Sequence, residues 1–260
     1  MTARLQRLRN LPISVTGGFF LFFTASYGSY HYNKLKSIPL PPPTIRDPKF
    51  QQLQVSVYDD IAKGYDDAIS WDEFFMGLGR RRKQVTALAK GRVLELAAGT
   101  GRNMSLYKHP PTNSVTMTDI NTNMLEVAYY KMKETKQNKA LPEIKLAVAD
   151  ASSLPFPDNS FDTVVDCFGL CSMPDPVKCL QEMNRVVKRD GRVLLLEHGT
   201  SKSYAFIAEA LDKEAHSHSK RWGCWWNREI EGLVREAGLE IVELKNYHFG
   251  TTYFIQARKK

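Results

Sequence analysis

Arg92-Val-Leu-Glu-Leu-Ala-Ala-Gly-Thr-Gly-Arg-Asn103 combines a short apolar run, an acid at Glu95, a turn of small residues and the start of an amphipathic segment. The pattern reads as a strand, a tight turn and a helix start. Glycine at 99 and 101 suits positions where a side chain would clash or φ must be positive. The N–H groups opening the following helix are suited to a polar or anionic ligand. The turn alone does not say which ligand.

Outward from this turn, strand and helix patterns alternate. Val93–Leu96, Ser114–Thr118, Ile144–Val148, Phe161–Cys167 and Arg192–Leu196 read as strands. Between them, Asn103–Tyr107 opens a helix, Asn123–Thr135 carries an apolar stripe of Met124, Leu125, Ala128 and Met132, and Val177–Val187 turns Leu180 and Met183 inward. Two further helices are expected at Tyr204–Lys213 and Arg228–Ala237, the second stopped by Gly238. Leu239–Lys245 and Thr251–Ala257 read as a closing antiparallel hairpin. This repetition predicts an α/β fold with a mostly parallel sheet and helices on both faces. Ligands of such folds sit beyond the carboxyl ends of the strands, where the strand order reverses. Glu95, Asp119, Asp150 and the segment after Cys167 all fall on that rim. Upstream, Val55 to Lys90 has helical spacing; its Arg80-Arg-Arg-Lys83 run is a solvated face or a contact for acidic lipid or a partner.

Composition narrows the function classes. The net charge is +8, but residues before Asp47 contribute +6 of it and hold no acid. The folded part is therefore nearly neutral, and no nucleic-acid partner is expected. Cys167, Cys171, Cys179 and Cys224 show no CxxC pairing, which argues against a zinc site or a disulfide scaffold, and no metal is expected.

The chain divides into four segments. Residues 1–10 are Arg-rich and acid-free, like a mitochondrial targeting segment. Residues 11–32 hold an uncharged apolar stretch with Tyr27, Tyr30 and Tyr32 at one end, the length and edge chemistry of one transmembrane helix. A removed targeting segment or a secretory signal-anchor is the other reading. Residues 33–48, with Pro39, Pro41, Pro42 and Pro43, form a stiff extended linker. Residues 49–260 form the folded domain.

A dinucleotide fingerprint requires GxGxxG and an acid about 20 residues later. Asp119 supplies the acid, which can hold ribose hydroxyls, but Met104 occupies the third glycine position. That counts against a pyrophosphate cradle. Val93-Leu-Glu-Leu-Ala-Ala-Gly-Thr-Gly101, Asp119-Ile-Asn-Thr-Asn-Met-Leu125, Asp150-Ala-Ser-Ser-Leu-Pro-Phe-Pro-Asp-Asn-Ser-Phe-Asp162 and Glu182-Met-Asn-Arg-Val-Val-Lys-Arg-Asp-Gly191 stand in the order found in class I S-adenosyl-L-methionine (SAM)-dependent methyltransferases. The chain resembles their ubiquinone/menaquinone branch from about Tyr58 onward. Tyr58-Asp-Asp-Ile-Ala-Lys-Gly-Tyr-Asp66 looks like that branch's lid helix. Leu170-Cys-Ser172 and Glu197-His198, behind an apolar N-terminal segment, resemble membrane-anchored mitochondrial Oms-type proteins and anchored thiol methyltransferases.

The resemblance implies a Rossmann-like seven-stranded sheet and SAM as cofactor. It implies that Gly99 and Gly101 let backbone pass close to the methionine moiety and that Glu95 orients the turn and the cofactor's amino group. Asp119, with Ile120 beside it, would take the ribose; Asp150 and the Ala151 amide would take the adenine; Cys167 and Phe168 would offer carbonyls to the ammonium. Ala97 departs from the family, which usually has glycine there. His198 is the candidate base on the rim, against a supporting or solvent-facing role. Trp222, Trp225 and Trp226 wall an acceptor pocket, meet a membrane interface or pack in the core. The expected function is a membrane-tethered methyltransferase of a small apolar or lipid acceptor, in the mitochondrial inner membrane or else the endoplasmic reticulum. The alternative is a non-catalytic assembly protein of the same fold.

Overall fold

A computed structural model describes residues 56–108, 110–135 and 141–260. The targeting segment, membrane span and linker expected at residues 1–48 lie outside the described residues. Among the described residues no helix is long and apolar enough to cross a membrane.

Helical residues 56–61 lead into α1 (Tyr65–Phe75) and α2 (Leu78–Leu88), which meet at Gly77 in the left-handed conformation. The alternation then follows as β1 (Gly91–Leu96), β2 (Thr112–Asp119), α3 (Thr122–Thr135), β3 (Glu143–Val148), β4 (Phe161–Cys167), α4 (Pro176–Val186), β5 (Val187–His198), α5 (Ala205–Trp222), α6 (Ile230–Glu236), β6 (Leu239–Tyr247) and β7 (Thr252–Lys259). The seven strands form one sheet in the order β3-β2-β1-β4-β5-β7-β6. The first five are parallel, and β7 runs antiparallel to both β5 and β6. The chain steps outward from β1 to β3, then returns to lay β4 beside β1. That reversal creates a crevice between the carboxyl ends of β1 and β4.

The expected alternation matches this order, with two local differences. The helix expected from Asn103 is a single 3-10 turn, Met104–Leu106, and Tyr107 is already extended. Pro110 and Pro111 follow too closely for a helix to continue, since proline lacks the N–H and clashes with the preceding turn. The helix expected at Tyr204–Lys213 runs on to Trp222, where Gly223 caps it in the left-handed conformation. Trp222 thus ends the helix, while Trp225 and Trp226 lie beyond it, Trp226 in a turn, as the Trp-rich turn of the sequence suggests. Trp225 is buried against Ala215, with Trp226 packed beside them. Among the three proposed roles for the tryptophans, Trp225 and Trp226 take core packing.

Both faces of the sheet are covered. On one, Leu94, Val164, Val193 and Leu195 meet Leu180 and Met183 of α4 and Ile230 and Val234 of α6. On the other, Val93, Val115, Val165 and Leu194 meet Val85 of α2 and Ala128 of α3. Capping fixes where the helices begin. Asn121 accepts the Met124 amide at 2.9 Å ahead of α3, and Asp175 accepts the Lys178 amide at 3.1 Å ahead of α4, with Pro176 in the first turn. Met183 is fully buried between α4 and the sheet. Met183→Ala is expected to lower unfolding free energy by about 2–5 kcal/mol in urea titration. A loss within error would contradict this packing.

Candidate active site

Ala97, Ala98 and Gly99 carry the chain over the carboxyl end of β1. Ala97 has φ 45° and Gly99 φ 54°. A Cβ built on Gly99 would meet nothing within 4 Å, because that position opens into a cavity of about 340 Å³ at the strand-order reversal. Cofactor sites start at about this size. Gly101 (φ 76°) faces elsewhere: a Cβ there would lie 3.0 Å from Met104 Cε and 3.2 Å from Ala128 Cβ. One glycine opens the wall, and the other lets the turn pack on α3.

Of the residues expected to bind cofactor, Glu95, Ala97, Gly99, Asp119, Ile120, Asp150, Ala151, Cys167 and Phe168 all line this cavity; Gly101 does not. Asp119 Oδ2 accepts the Gly99 amide at 2.8 Å, and Oδ1 accepts the Asn121 amide at 2.8 Å. The carboxylate therefore shapes two turns while facing the cavity. Burial pushes it above the usual carboxylate range, although those amides pull it back. Asp150 Oδ1 accepts the Ser152 amide at 2.8 Å, the local cap of its own turn. Phe168 stands at φ 64°, unusual for an aromatic residue. Its turn is held by the Phe168 amide donating to Leu196 O at 2.8 Å, and Gly169 beside it has no room for a side chain. A Cβ at Gly169 would fall 2.2 Å from Asp166 Oδ1 and 2.6 Å from Ala97 Cβ.

Glu95 is the centre of a buried polar chain. Tyr107 Oη donates to its Oε2 at 2.6 Å, and Asn103 Nδ2 donates to its Oε1 at 3.0 Å. Asn103 Oδ1 accepts from Arg82 Nη1 at 3.2 Å. Arg82 also donates to Glu73 Oε1 through Nε at 3.1 Å and Nη2 at 2.8 Å. Arg102 reaches Glu73 Oε2 at 2.8 Å and Asp66 Oδ1 at 3.0 Å, and Thr100 Oγ1 donates to Asp66 Oδ1 at 2.7 Å. Lys131 also donates to Asp66. Two acids of α1 thereby tie that helix to the glycine turn and to α3. Burial opposes charge on both Glu73 and Arg82, but each holds the other ionised: Glu73 lies below its ordinary range and Arg82 above. Burial raises Glu95 to about 7 despite its donors.

Arg82 was hidden in the sequence inside Arg80-Arg-Arg-Lys83. Helical phase separates the run: Arg80 and Lys83 are exposed, Arg81 lies 3.6 Å over the Tyr247 ring, and Arg82 is buried in the network. Tyr58, Tyr65, Asn121 and Ser172 also line the cavity and escaped the sequence reading, although Tyr58–Asp66 was quoted there as a lid. Tyr58 Oη and Ser172 Oγ are 2.6 Å apart. The signal for Asn121 was its capping position after Asp119.

His198 does not reach the cavity lining. Its ring stacks on Phe168, with centroids 4.4 Å apart and an interplanar angle of 30°. Burial, then the charges of His218 and Arg82, push it down to about 4. It is neutral at pH 7 and a weak proton acceptor there. Its geometry suits it to holding the Phe168 ring. On the far side of the turn, Asp166 and Glu197 are fully buried on adjacent strands. Burial, followed by the charge of Cys171 for Asp166 and of Asp166 for Glu197, pushes both carboxyls well above the usual range.

Two outcomes follow from this geometry. Ala97→Gly relieves a left-handed alanine and is expected to stabilise the protein by about 1 kcal/mol, raising Tm by about 3 °C. A fall in Tm would contradict the strained turn. Glu95 has a folded pKa above its unfolded value, so its contribution is present below about pH 4.5 and is lost as pH rises through about 7. Glu95→Gln should therefore gain stability relative to the native chain between pH 5 and 8, on the order of 3 kcal/mol, in urea melts. Parallel pH profiles would contradict a buried, proton-holding carboxyl.

Comparison with known proteins shows the family. Residues 94–195 match the methyltransferase domain family. The mitochondrial methyltransferase OMS1 of Saccharomyces cerevisiae is 37% identical over 217 residues, 78% of this chain; the chain spans 45% of that relative's length. The ubiquinone/menaquinone biosynthesis C-methyltransferase UbiE of Haemophilus ducreyi is 36% identical over 242 residues, covering 80% of this chain and 88% of that protein. Among solved structures, the [4+2]-cyclase SpnF superposes with TM-score 0.64 at 17% identity, over 85% of this chain and 98% of that one. A SAM-dependent methyltransferase from Aquifex aeolicus gives 0.54 at 16% identity, over 76% and 97%. At these identities the structures show the fold alone, and a cyclase shares it. The level of identity to a bacterial C-methyltransferase over most of its length, together with the domain match, places this chain in the family of SAM-dependent methyltransferases.

Proposed function

We propose that the domain transfers the methyl group of SAM to a small apolar acceptor, a quinone-like lipid or a thiol, beside a mitochondrial membrane to which residues 11–32 tether it. The observation that carries the reading is the cavity itself. Its wall is open at Gly99, it bears an acid at the end of β2 and another after β3, and its remaining lining is largely apolar and aromatic. Arg82 and Arg102, the guanidinium groups that reach it, are already engaged by Glu73 and Asp66. Lys178 and Asp175 also line it, so the apolar acceptor rests on the apolar and aromatic share of the lining. An uncharged apolar stretch in the sequence and a relative named as mitochondrial support the tether.

The residues suit the parts of the cofactor. Asp119 would accept from the ribose hydroxyls, and Asp150 with the Ala151 amide would hold the adenine edge. Glu95, poised near neutrality, would ionise fully against the cofactor's ammonium, with the Cys167 and Phe168 carbonyls beside it. When bound, SAM supplies an electrophilic methyl on a sulfonium. The protein's task is then to align the acceptor in line and to exclude water. Tyr58, Tyr65 and Phe168 form the water-excluding side. Burial keeps both phenols protonated, so they serve as apolar walls with a hydroxyl to donate. A group that deprotonates the acceptor is needed only for a protonated nucleophile.

A second reading, a non-catalytic assembly protein that keeps the fold, draws on the position of His198 behind Phe168. The two readings separate on one variant. Asp119→Ala should lower SAM affinity in calorimetry by roughly 10–100-fold, the loss of a charge-assisted contact of about 1.5–3 kcal/mol. With an unchanged circular dichroism spectrum, it should also abolish transfer of labelled methyl into membrane lipid extracts. Native chain that binds SAM but leaves no label in lipid or thiol fractions would favour the assembly role.

A further inference from the structure

Helix α1 is amphipathic in the inverted sense. Asp66 and Glu73, two turns apart on one stripe, face inward to Arg102 and Arg82. On the opposite side Trp71 is 69% exposed, Phe74 73% and Phe75 77%. These rings stack on one another rather than on the protein: Trp71 and Phe75 lie 6.0 Å apart and Phe74 and Phe75 5.6 Å. A second exposed aromatic group stands on the same rim. Tyr204 contacts Phe206 at 6.1 Å and Phe249 at 5.8 Å, with Phe206 69% and Phe249 68% exposed. The β6–β7 turn that carries Phe249 lies beside the carboxyl end of β5, since His198 pairs with Thr252. Arg81 stacked on Tyr247 links that turn to α2, directly after the α1–α2 corner.

Fully exposed Trp and Phe clusters of this size mark an interaction surface. Exposed cations follow at Arg80 and Lys83 of α2, with half-buried Arg81 between them, while α1 itself exposes the acids Asp67 and Asp72. Aromatic rings flanked by basic side chains are the chemistry of a bilayer interface bearing anionic headgroups. A second copy meeting the same patch would bring these cations together. We propose that the aromatic rim formed by α1, the start of α5 and the β6–β7 turn seats on the bilayer surface, turning the cavity mouth toward the membrane so that the acceptor enters from the lipid phase. This rests on the reading of a tethered methyltransferase and adds the face that meets the lipid.

The test uses the full chain in nanodiscs containing anionic phospholipid, loaded at one copy per disc. Phe74→Cys and Phe249→Cys are labelled with an environment-sensitive fluorophore, and exposed Asp190→Cys near the amino end of β5, opposite the rim, serves as control. The four native cysteines are buried, so labelling falls on the introduced thiol. The expected result is blue-shifted emission at 74 and 249, quenched by spin-labelled lipid, with solvent-like emission at 190. Substituting neutral lipid, or Arg80→Gln with Lys83→Gln, should reduce both shift and quenching. Solvent-like emission at 74 and 249 in discs that retain the chain overturns the proposal and leaves the tethered reading intact. A shift seen only with two copies per disc also overturns it, in favour of self-association. A chain not retained by the discs overturns both readings, whereas SAM affinity measured on the same samples reports separately on the cofactor site.

Discussion

One buried guanidinium organises this domain. Arg82 sits between Glu73 of α1 and Asn103 behind the glycine turn, and through Asn103 it reaches Glu95. A charge in that position is tolerable only when its donors are matched. Glu73 takes two of its N–H groups and Asn103 a third. The same carboxylate takes Arg102, whose other end takes Asp66. Helix α1, the turn after β1 and, through Lys131, α3 are therefore held by one set of charges. The cavity keeps its shape because the residues around it are fixed to each other rather than to solvent.

Above this network the site follows from backbone geometry. Parallel strands with the order reversed between β1 and β4 leave a crevice, and the turns that leave those strands supply its walls. The β1 turn is left-handed at Ala97 and Gly99, and the β4 turn is left-handed at Phe168. The two approach so closely that Gly169 has no room for a side chain. Asp119 acts twice, capping the turn that opens the cavity and presenting its carboxylate to whatever fills it. Such dual use explains why a turn-capping role and a ligand-binding role for Asp119 are not competing descriptions.

Much of this was legible in the residues. The acids at strand ends stand out because a buried parallel strand is apolar until the chain leaves the sheet, so Glu95, Asp119 and Asp150 mark its edge. The lid network was not legible, for a reason of phase. In a run of four basic residues, only the rotation of α2 against α1 decides that Arg82 is the one buried. The inverted polarity of α1 was hidden for the same reason, since a helix with charged and aromatic stripes shows its period but not which stripe faces in. The short 3-10 turn after Gly101 replaced an expected helix because of two prolines further on, and the left-handed Phe168 has no local signature. His198 ends β5, but it does not line the cavity, and its stacking on Phe168 depends on a turn that only the tertiary structure specifies.

The most direct measurement is a crystal structure of the chain with SAM or its demethylated product bound. The account predicts the ribose at Asp119, the adenine beside Asp150 and Ala151, and the methionine portion passing Gly99 toward Glu95, with α1 still joined to the turn through Arg82. A ligand seated away from the β1–β4 crevice, or one that displaces Arg82 from Glu73, would contradict it.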